Sequence, residues 1–394
     1  MNILFYTITL MPYAGGIARV TDNIASELIH RGHKCFGLYH AGMADIPTQR
    51  KAKYTATMAI TPQTSLKITV RQVAEFIKHN QIDVIINQQG ALLYNLRLCQ
   101  KLKKITQTPI VTFYHTLPGH LSLELKGLPK LKEKLTWKDH IKALIRPYYY
   151  IYLQARAIYI CRKGYSISDK YVLLAESYIR LFKHENRIKN GERLTFINNS
   201  ITFEHILPEE SLQQKKNIVL IVSRLEEGQK RISKAIQIWE CIEKEGINNW
   251  ELHIVGDGPH AAYYKHLASQ KHLKHIQFKP ATTNPEPLFH DVAIFMMTSA
   301  FEGWGLTLTE ASQMGCVPIV YDTFPAVHDI ITSGENGIII PANNQTGYVE
   351  ALLKLMNEPT YRTEIAKGAI KNCRRFTIEK IADQWEATLK QLTE

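Results

Sequence analysis

The chain has 394 residues, 45% of them apolar and 21% charged, with a formal net charge of +12. That length exceeds one ordinary core and favours two domains with a cleft between them. No run reaches the roughly eighteen uninterrupted apolar residues of a spanning helix, and no basic region precedes an apolar one at the N-terminus, so the expectation is a cytoplasmic protein, neither exported nor membrane-spanning.

Six cysteines at 35, 99, 161, 241, 316 and 373 form no C-x-x-C pair and have no companion histidine spacing, so neither a disulfide framework nor a zinc site is suggested. The positive charge calls for an anionic partner.

In chain order, NILFYT (2–7), KCFGLYH (34–40), DVIINQQ (83–89) and PIVTFYH (109–115) read as buried strands, with helical patterns over 16–31 and 66–80. The second half repeats the plan with NIVLIVSR (217–224), WELHIVG (250–256), IQFKP (276–280), VAIFMMTS (292–299), VPIVYD (317–322) and GIIIP (337–341). Strands alternating with helices give an α/β protein with parallel sheets in two Rossmann-like domains. The boundaries expected are 1–207, 208–377 and a closing helix within 378–394, with PEESLQQKKN (208–217) as the linker.

Between the halves, 121–170 holds eleven Lys or Arg against four Asp or Glu, a net +7 of the total +12, together with Trp137, Tyr148, Tyr149, Tyr150, Tyr152 and Tyr159. This composition fits an anionic membrane surface, and equally a solvated helical excursion whose tyrosines pack on the first domain. Nucleic acid is not expected, since no nucleic-acid module is visible.

The candidate site residues stand where strands feed helices, the place where doubly wound sheets collect ligands. Gly15 and Gly16 open the first helix but form no G-x-G-x-x-G fingerprint, which speaks against a dinucleotide. Arg224 ends a strand and Lys230 follows in the loop SRLEEGQK; a planar fork and a point charge suit a diphosphate. Gly256 and Gly258 form a turn before another helix.

In FEGWGLTLTE, Thr307 and Glu310 read as a capping box, which leaves Glu302 unexplained. A fixed carboxylate beside Gly303, Trp304, Gly305 and Leu306 suits vicinal hydroxyls of a sugar or ribose. His115 closes a strand of the other domain and can donate a hydrogen bond or handle a proton.

Taken in order, GGIARV, RGHKC, DVIINQ, the strand-end His115, SRLEEGQK, LHIVGDGP, SAFEGWGLTLTEASQMGCVPIV and ENGIIIP resemble glycosyltransferase family 4 over nearly the whole chain. The resemblance implies the GT-B fold of two facing Rossmann-like domains, a nucleoside-diphosphate-sugar donor, a saccharide or lipid-linked saccharide acceptor, retention of anomeric configuration, and no metal or other cofactor; no D-x-D motif is present.

It further implies that Arg224 and Lys230 bind the donor diphosphate, Glu302 the transferred sugar and Glu310 the ribose. Gly16 would approach the diphosphate from the opposite domain, and His115 would lie near the sugar. Asn198-Asn199-Ser200 stands where many relatives show a proline-containing turn, and Trp304 where Phe is frequent. A nucleotide-sugar epimerase of the same fold, and a non-catalytic nucleotide-sugar or membrane-surface binding protein, remain as other readings. A glycoside hydrolase is disfavoured because Glu302 and Glu310 share one strand-loop-helix unit.

Overall fold

The computed structural model describes residues 1–42, 46–119 and 137–393. They form two compact units, one of 1–119, 137–202 and 376–393, the other of 203–375. The passage between them at Thr202 and Phe203 precedes the expected 207/208 boundary. Residues 121–136 of the basic segment lie outside the described residues.

The first unit is built on β1 (Asn2–Tyr6), β2 (Lys34–His40), β3 (Ala56–Ile60), β4 (Val84–Asn87), β5 (Ile110–Tyr114), β6 (Lys170–Leu173) and β7 (Leu194–Phe196), paired in the order β3-β2-β1-β4-β5-β6-β7. Every pairing is parallel. The inner strands are almost wholly apolar because helices cover both faces.

The helices are α1 (Gly16–His30), α2 (Thr48–Lys51), α3 (Leu66–His79), α4 (Leu93–Thr106), α5 (Trp137–Ile167) and α6 (Glu176–Glu185). Val73 and Ile77 of α3, Leu102 of α4 and Ile160 of α5 share a buried cluster with Leu4 and Ile85 of the sheet. These helices therefore form one layer.

The second unit contains β8 (Lys216–Val222), β9 (Glu251–Val255), β10 (Ile276–Lys279), β11 (Val292–Met297), β12 (Val317–Asp322) and β13 (Ile338–Pro341), in the parallel order β10-β9-β8-β11-β12-β13. Its helices are α7 (Glu227–Lys230), α8 (Ile232–Lys244), α9 (Ala261–Gln270), α10 (Glu286–His290), α11 (Leu306–Gln313), α12 (Val327–Ile330), α13 (Gln345–Asn357) and α14 (Pro359–Cys373). In each sheet the strand order reverses beside the first strand, at β1/β4 and at β8/β11. Such switch points leave a crevice at the carboxyl ends of the strands.

The last helix, α15 (Ile378–Thr393), belongs to the first unit. Arg31, just past α1, donates to Glu27 at 2.8 Å, Asp383 at 2.7 Å and Glu386 at 3.0 Å, and to the carbonyl of Glu379 at 2.7 Å. His33 adds a 2.7 Å contact to Glu386. Trp385, fully buried, packs edge-on against Phe113 of β5.

The strands at β3, β6 and β7 are absent from the expectation, since ATMAI, KYVL and LTF are short and sit toward the sheet edges, where apolar runs shorten. The stretch 208–217 is not a free linker. Glu209–Gln214 form a 3-10 turn that buries Leu212, and the Lys215 ammonium donates to the carbonyls of Phe289 at 2.9 Å and His290 at 2.7 Å.

Candidate functional site

At the β8/β11 switch point the chain SRLEEGQK leaves β8 and folds into the short helix α7. Glu226 supplies the cap: its carboxylate accepts the N–H of Gly228 at 2.7 Å and of Gln229 at 2.8 Å. Glu227 accepts the hydroxyls of Ser233 at 2.5 Å and Tyr264 at 2.9 Å. These two acidic residues fix the path of the loop that carries Lys230.

The exit of β11 is stitched to that path. Thr298 Oγ1 donates to the carbonyls of Lys230 and Arg231 at 3.1 Å each, and Ala300 N–H to Gln229 at 2.6 Å. This sets Lys230 Nζ 2.6 Å from Glu302 Oε1, with 18% and 8% of the two side chains exposed. Ser299 Oγ donates to the same oxygen at 2.6 Å and Gln229 Nε2 to Oε2 at 3.3 Å.

Glu302 is therefore an oriented, nearly buried carboxylate, its Oε1 held by both Lys230 and Ser299. Lys230, Thr298, Ser299 and Thr307 also line a small cavity at this end of β8 and β11, together with Ser223, whose buried hydroxyl has no hydrogen-bond partner among the described residues.

The capping box is not formed. Gly305, at φ +85° and ψ +56°, is the N-cap of α11, no side chain caps it, and Thr307 lies inside the first turn. The left-handed φ suits glycine, and a side chain there would also press on Leu308 at 3.2 Å. Glu310 sits on the second turn of α11, 2% exposed. Trp304 is buried at 2%, while Gly303, Leu306 and Thr307 are half-buried.

Arg224 is exposed just beyond β8. Its loop rests on the Gly256-Asp257-Gly258 turn. Leu225 N–H donates to Asp257 at 2.8 Å, and His260 N–H to Leu225 at 3.1 Å. A Cβ on Gly256 would fall 1.9 Å from the Ser223 carbonyl oxygen, and one on Gly258 2.4 Å from that of Leu225. These glycines thus serve close packing of the basic loop as well as the turn.

In the first unit, Gly15 (φ +146°) is the N-cap of α1 and Gly16 its first residue. His115 follows β5. Its Nε2 lies 2.6 Å from Gln88 Oε1, and its ring packs against Phe113 at a tilt of 47° with centroids 4.0 Å apart. Burial pushes its imidazole down to about 3, which keeps it neutral near pH 7.

The structure thus brings Lys230, Glu302 and Thr307 into one cluster. Gly15, Gly16 and His115 stand at the carboxyl ends of β1 and β5 in the other unit. Sequence reading missed Gln229, Thr298, Ser299, Glu226 and Gln88. For Gln88, Thr298 and Ser299 the one signal is a polar residue directly after an apolar strand; Glu226 and Gln229, farther along the loop after β8, carry none.

Comparison with known proteins matches 14–202 to the family described as Glycosyltransferase Family 4 and 202–372 to Glycosyl transferases group 1. An uncharacterized glycosyltransferase of Haemophilus influenzae is 23% identical over 95% of this chain and 96% of its own. A poly(glycerol-phosphate) alpha-glucosyltransferase of Bacillus subtilis is 26% identical over 57% of this chain, and the match spans only 33% of that protein. Among solved structures, Anabaena Alr3699/HepE in complex with UDP and glucose shares 17% identity over 99% of this chain and 100% of its own, with a TM-score of 0.74.

Proposed function

We propose, from the premise that the chain belongs to glycosyltransferase family 4 and has the GT-B fold, that it moves a sugar from a nucleoside-diphosphate sugar to a hydroxyl of a saccharide acceptor in surface-glycan biosynthesis. The observation that carries the reading is the Lys230–Glu302 pair at the β8/β11 switch point: a cation for phosphate beside a fixed carboxylate for sugar hydroxyls.

In this reading Arg224 and Lys230 hold the diphosphate, the uncapped start of α11 adds its dipole, Glu302 orients the sugar and Glu310 the ribose. Gly15 and Gly16 leave main-chain room at the start of α1, and His115, neutral, can donate or accept a hydrogen bond at the end of β5. The acceptor oxygen forms its bond to the anomeric carbon on the face from which the phosphate oxygen leaves, so configuration is retained, and the hydroxyl proton passes to the departing diphosphate. Cationic side chains carry the negative charge that develops, without a metal; preorganised donors of this kind contribute about 3 kcal/mol each in a measured class.

The proposed acceptor is a growing polysaccharide or lipid-linked saccharide at the inner membrane face. No helix among the described residues is long and apolar enough to cross a membrane. What supports a peripheral position is α5, where Tyr148 (75% exposed), Tyr149, Tyr152 and Tyr159 stand out to solvent near Arg156 and Arg162.

The test offers candidate UDP-, GDP- and ADP-sugars with saccharide acceptors and measures nucleoside-diphosphate release. Release that needs both partners, and that Glu302→Gln abolishes, supports transfer; an altered sugar nucleotide without acceptor would instead mark an epimerase. Anomeric proton couplings of the product test retention, and turnover in EDTA tests metal independence.

A further inference from the structure

The outer face of the α3–α4–α5 layer carries a groove of about 1020 Å³. Its floor is Val70, Ala74, Ile77, Ile82 and Ile105; its rim is Lys67, Arg71 and Lys78 of α3 and Lys101 and Lys104 of α4, with Glu75 as the single acidic lining residue. Ile105 is 61% exposed, and Ile68 of α3 is 52% exposed. The groove reaches Gln81 and Thr108, in the turns that lead into the amino ends of β4 and β5. His115 and Gly15–Gly16 stand at the opposite, carboxyl ends of this sheet.

The charge is not explained by the helices themselves. Cations in a last turn complement the helix dipole, which accounts for Lys78 and Lys104. Lys67 lies in the first turn of α3, where a cation is disfavoured, and Lys101 precedes the last turn of α4. Across 66–79, 93–106 and 148–167 there are ten Lys or Arg against one Asp or Glu. The exposed Arg71–Glu75 pair at 3.0 Å leaves the other rim cations uncompensated by Glu75.

The face continues onto α5. Lys163 donates to Gln100 of α4 at 2.7 Å, and Lys103 to the Ile167 carbonyl at 3.1 Å, so α5 lies directly beside α4 with its tyrosine stripe outward. An apolar floor inside a cationic rim, next to exposed tyrosines, combines the two attractions of an anionic bilayer surface: phosphate for the lysines and acyl or headgroup-depth contact for Ile105 and the rings.

We propose that the α3–α4 groove is a docking site for anionic phospholipid, which seats the first unit on the membrane. This rests on the reading of a membrane-borne acceptor and is tested apart from transfer itself. It places the main contact on α3 and α4.

The experiment is flotation of the full chain with vesicles of phosphatidylcholine alone or with phosphatidylglycerol added, in low and high salt. Wild type should float only with phosphatidylglycerol. Lys101→Ala/Lys104→Ala should lower the partition coefficient about thirtyfold, at the usual contribution of a surface cation. Ile105→Asp should lower it further at equal salt, and release of nucleoside diphosphate to a soluble acceptor should be unchanged in all variants.

No flotation of wild type, or variants that float as well as wild type, would overturn the proposal. So would capture by an oligonucleotide as strong as by vesicles and indifferent to Ile105→Asp. Loss of flotation with transfer intact supports it; loss of transfer in wild type refutes the transferase reading while leaving flotation to decide this one.

Discussion

Lys230 Nζ and Glu302 Oε1 lie 2.6 Å apart although 72 positions separate them in the chain. The pair is mostly buried, so removing one partner leaves a charge with poor solvation. Lys230→Ala should cost more than the about 1 kcal/mol of an exposed pair and approach the about 3 kcal/mol at which buried pairs begin. Glu302→Gln keeps an acceptor for Ser299 and should unfold close to wild type while losing turnover. Urea denaturation beside nucleotide-release assays separates the two effects.

The basic loop rests on backbone contacts that admit no side chain. Gly256→Ala and Gly258→Ala should each displace Ser223–Leu225, and with them Arg224, because a Cβ would meet carbonyl oxygens at 1.9 and 2.4 Å. Both variants should lose turnover and fall in melting temperature. Gly15→Ala meets nothing within 4 Å and is strained by its backbone at φ +146° alone, by about 1–3 kcal/mol. Thermal melts of the three variants rank the effects.

All six strands of the second unit are legible because each is an apolar run, or at IQFK an alternating one, closed by polar or glycine-bearing turns. The candidate residues are legible as positions at strand ends, but the hydrogen bonds that join them are not. Nothing local in EEGQK announces that Glu226 caps α7 or that Ser299 orients Glu302, since those bonds join segments brought together by sheet order. The capping box misread Thr307 for the opposite reason: the local pattern was present, yet the left-handed Gly305 already begins the helix. Lys215 shows the same limit, a polar stretch that reads as a linker while its ammonium sits among carbonyls, where burial lowers its pKa.

His115 gives the first unit a pH dependence. Its imidazole titrates near 6.5 when unfolded and is pushed down to about 3 by burial, so between those values the unfolded state binds the extra proton. Stability should therefore fall as pH drops below 6.5, by about 2 kcal/mol at pH 5 from this group. Chemical denaturation at pH 7 and pH 5 should show that slope, and His115→Gln should flatten it.

The closing helix supports β5 from its far side. Trp385→Ala removes the ring that packs on Phe113, which in turn packs against His115. A loss of about 3–5 kcal/mol is expected for a buried tryptophan. Arg31→Ala should cost less, since its partners Asp383 and Glu386 keep some solvent. Guanidinium titrations of the two variants compare them.

The measurement that bears most directly on the claim of a diphosphate-gripping second unit is titration calorimetry of nucleoside diphosphate against the parent nucleoside. Wild type should bind the diphosphate of its donor far more tightly than the nucleoside. Arg224→Ala should weaken the diphosphate about a hundredfold, the loss of one strong charge-assisted contact of about 2.7 kcal/mol, and leave the nucleoside unchanged. Equal diphosphate affinity in wild type and Arg224→Ala, with Lys230→Ala also unaltered, would contradict it.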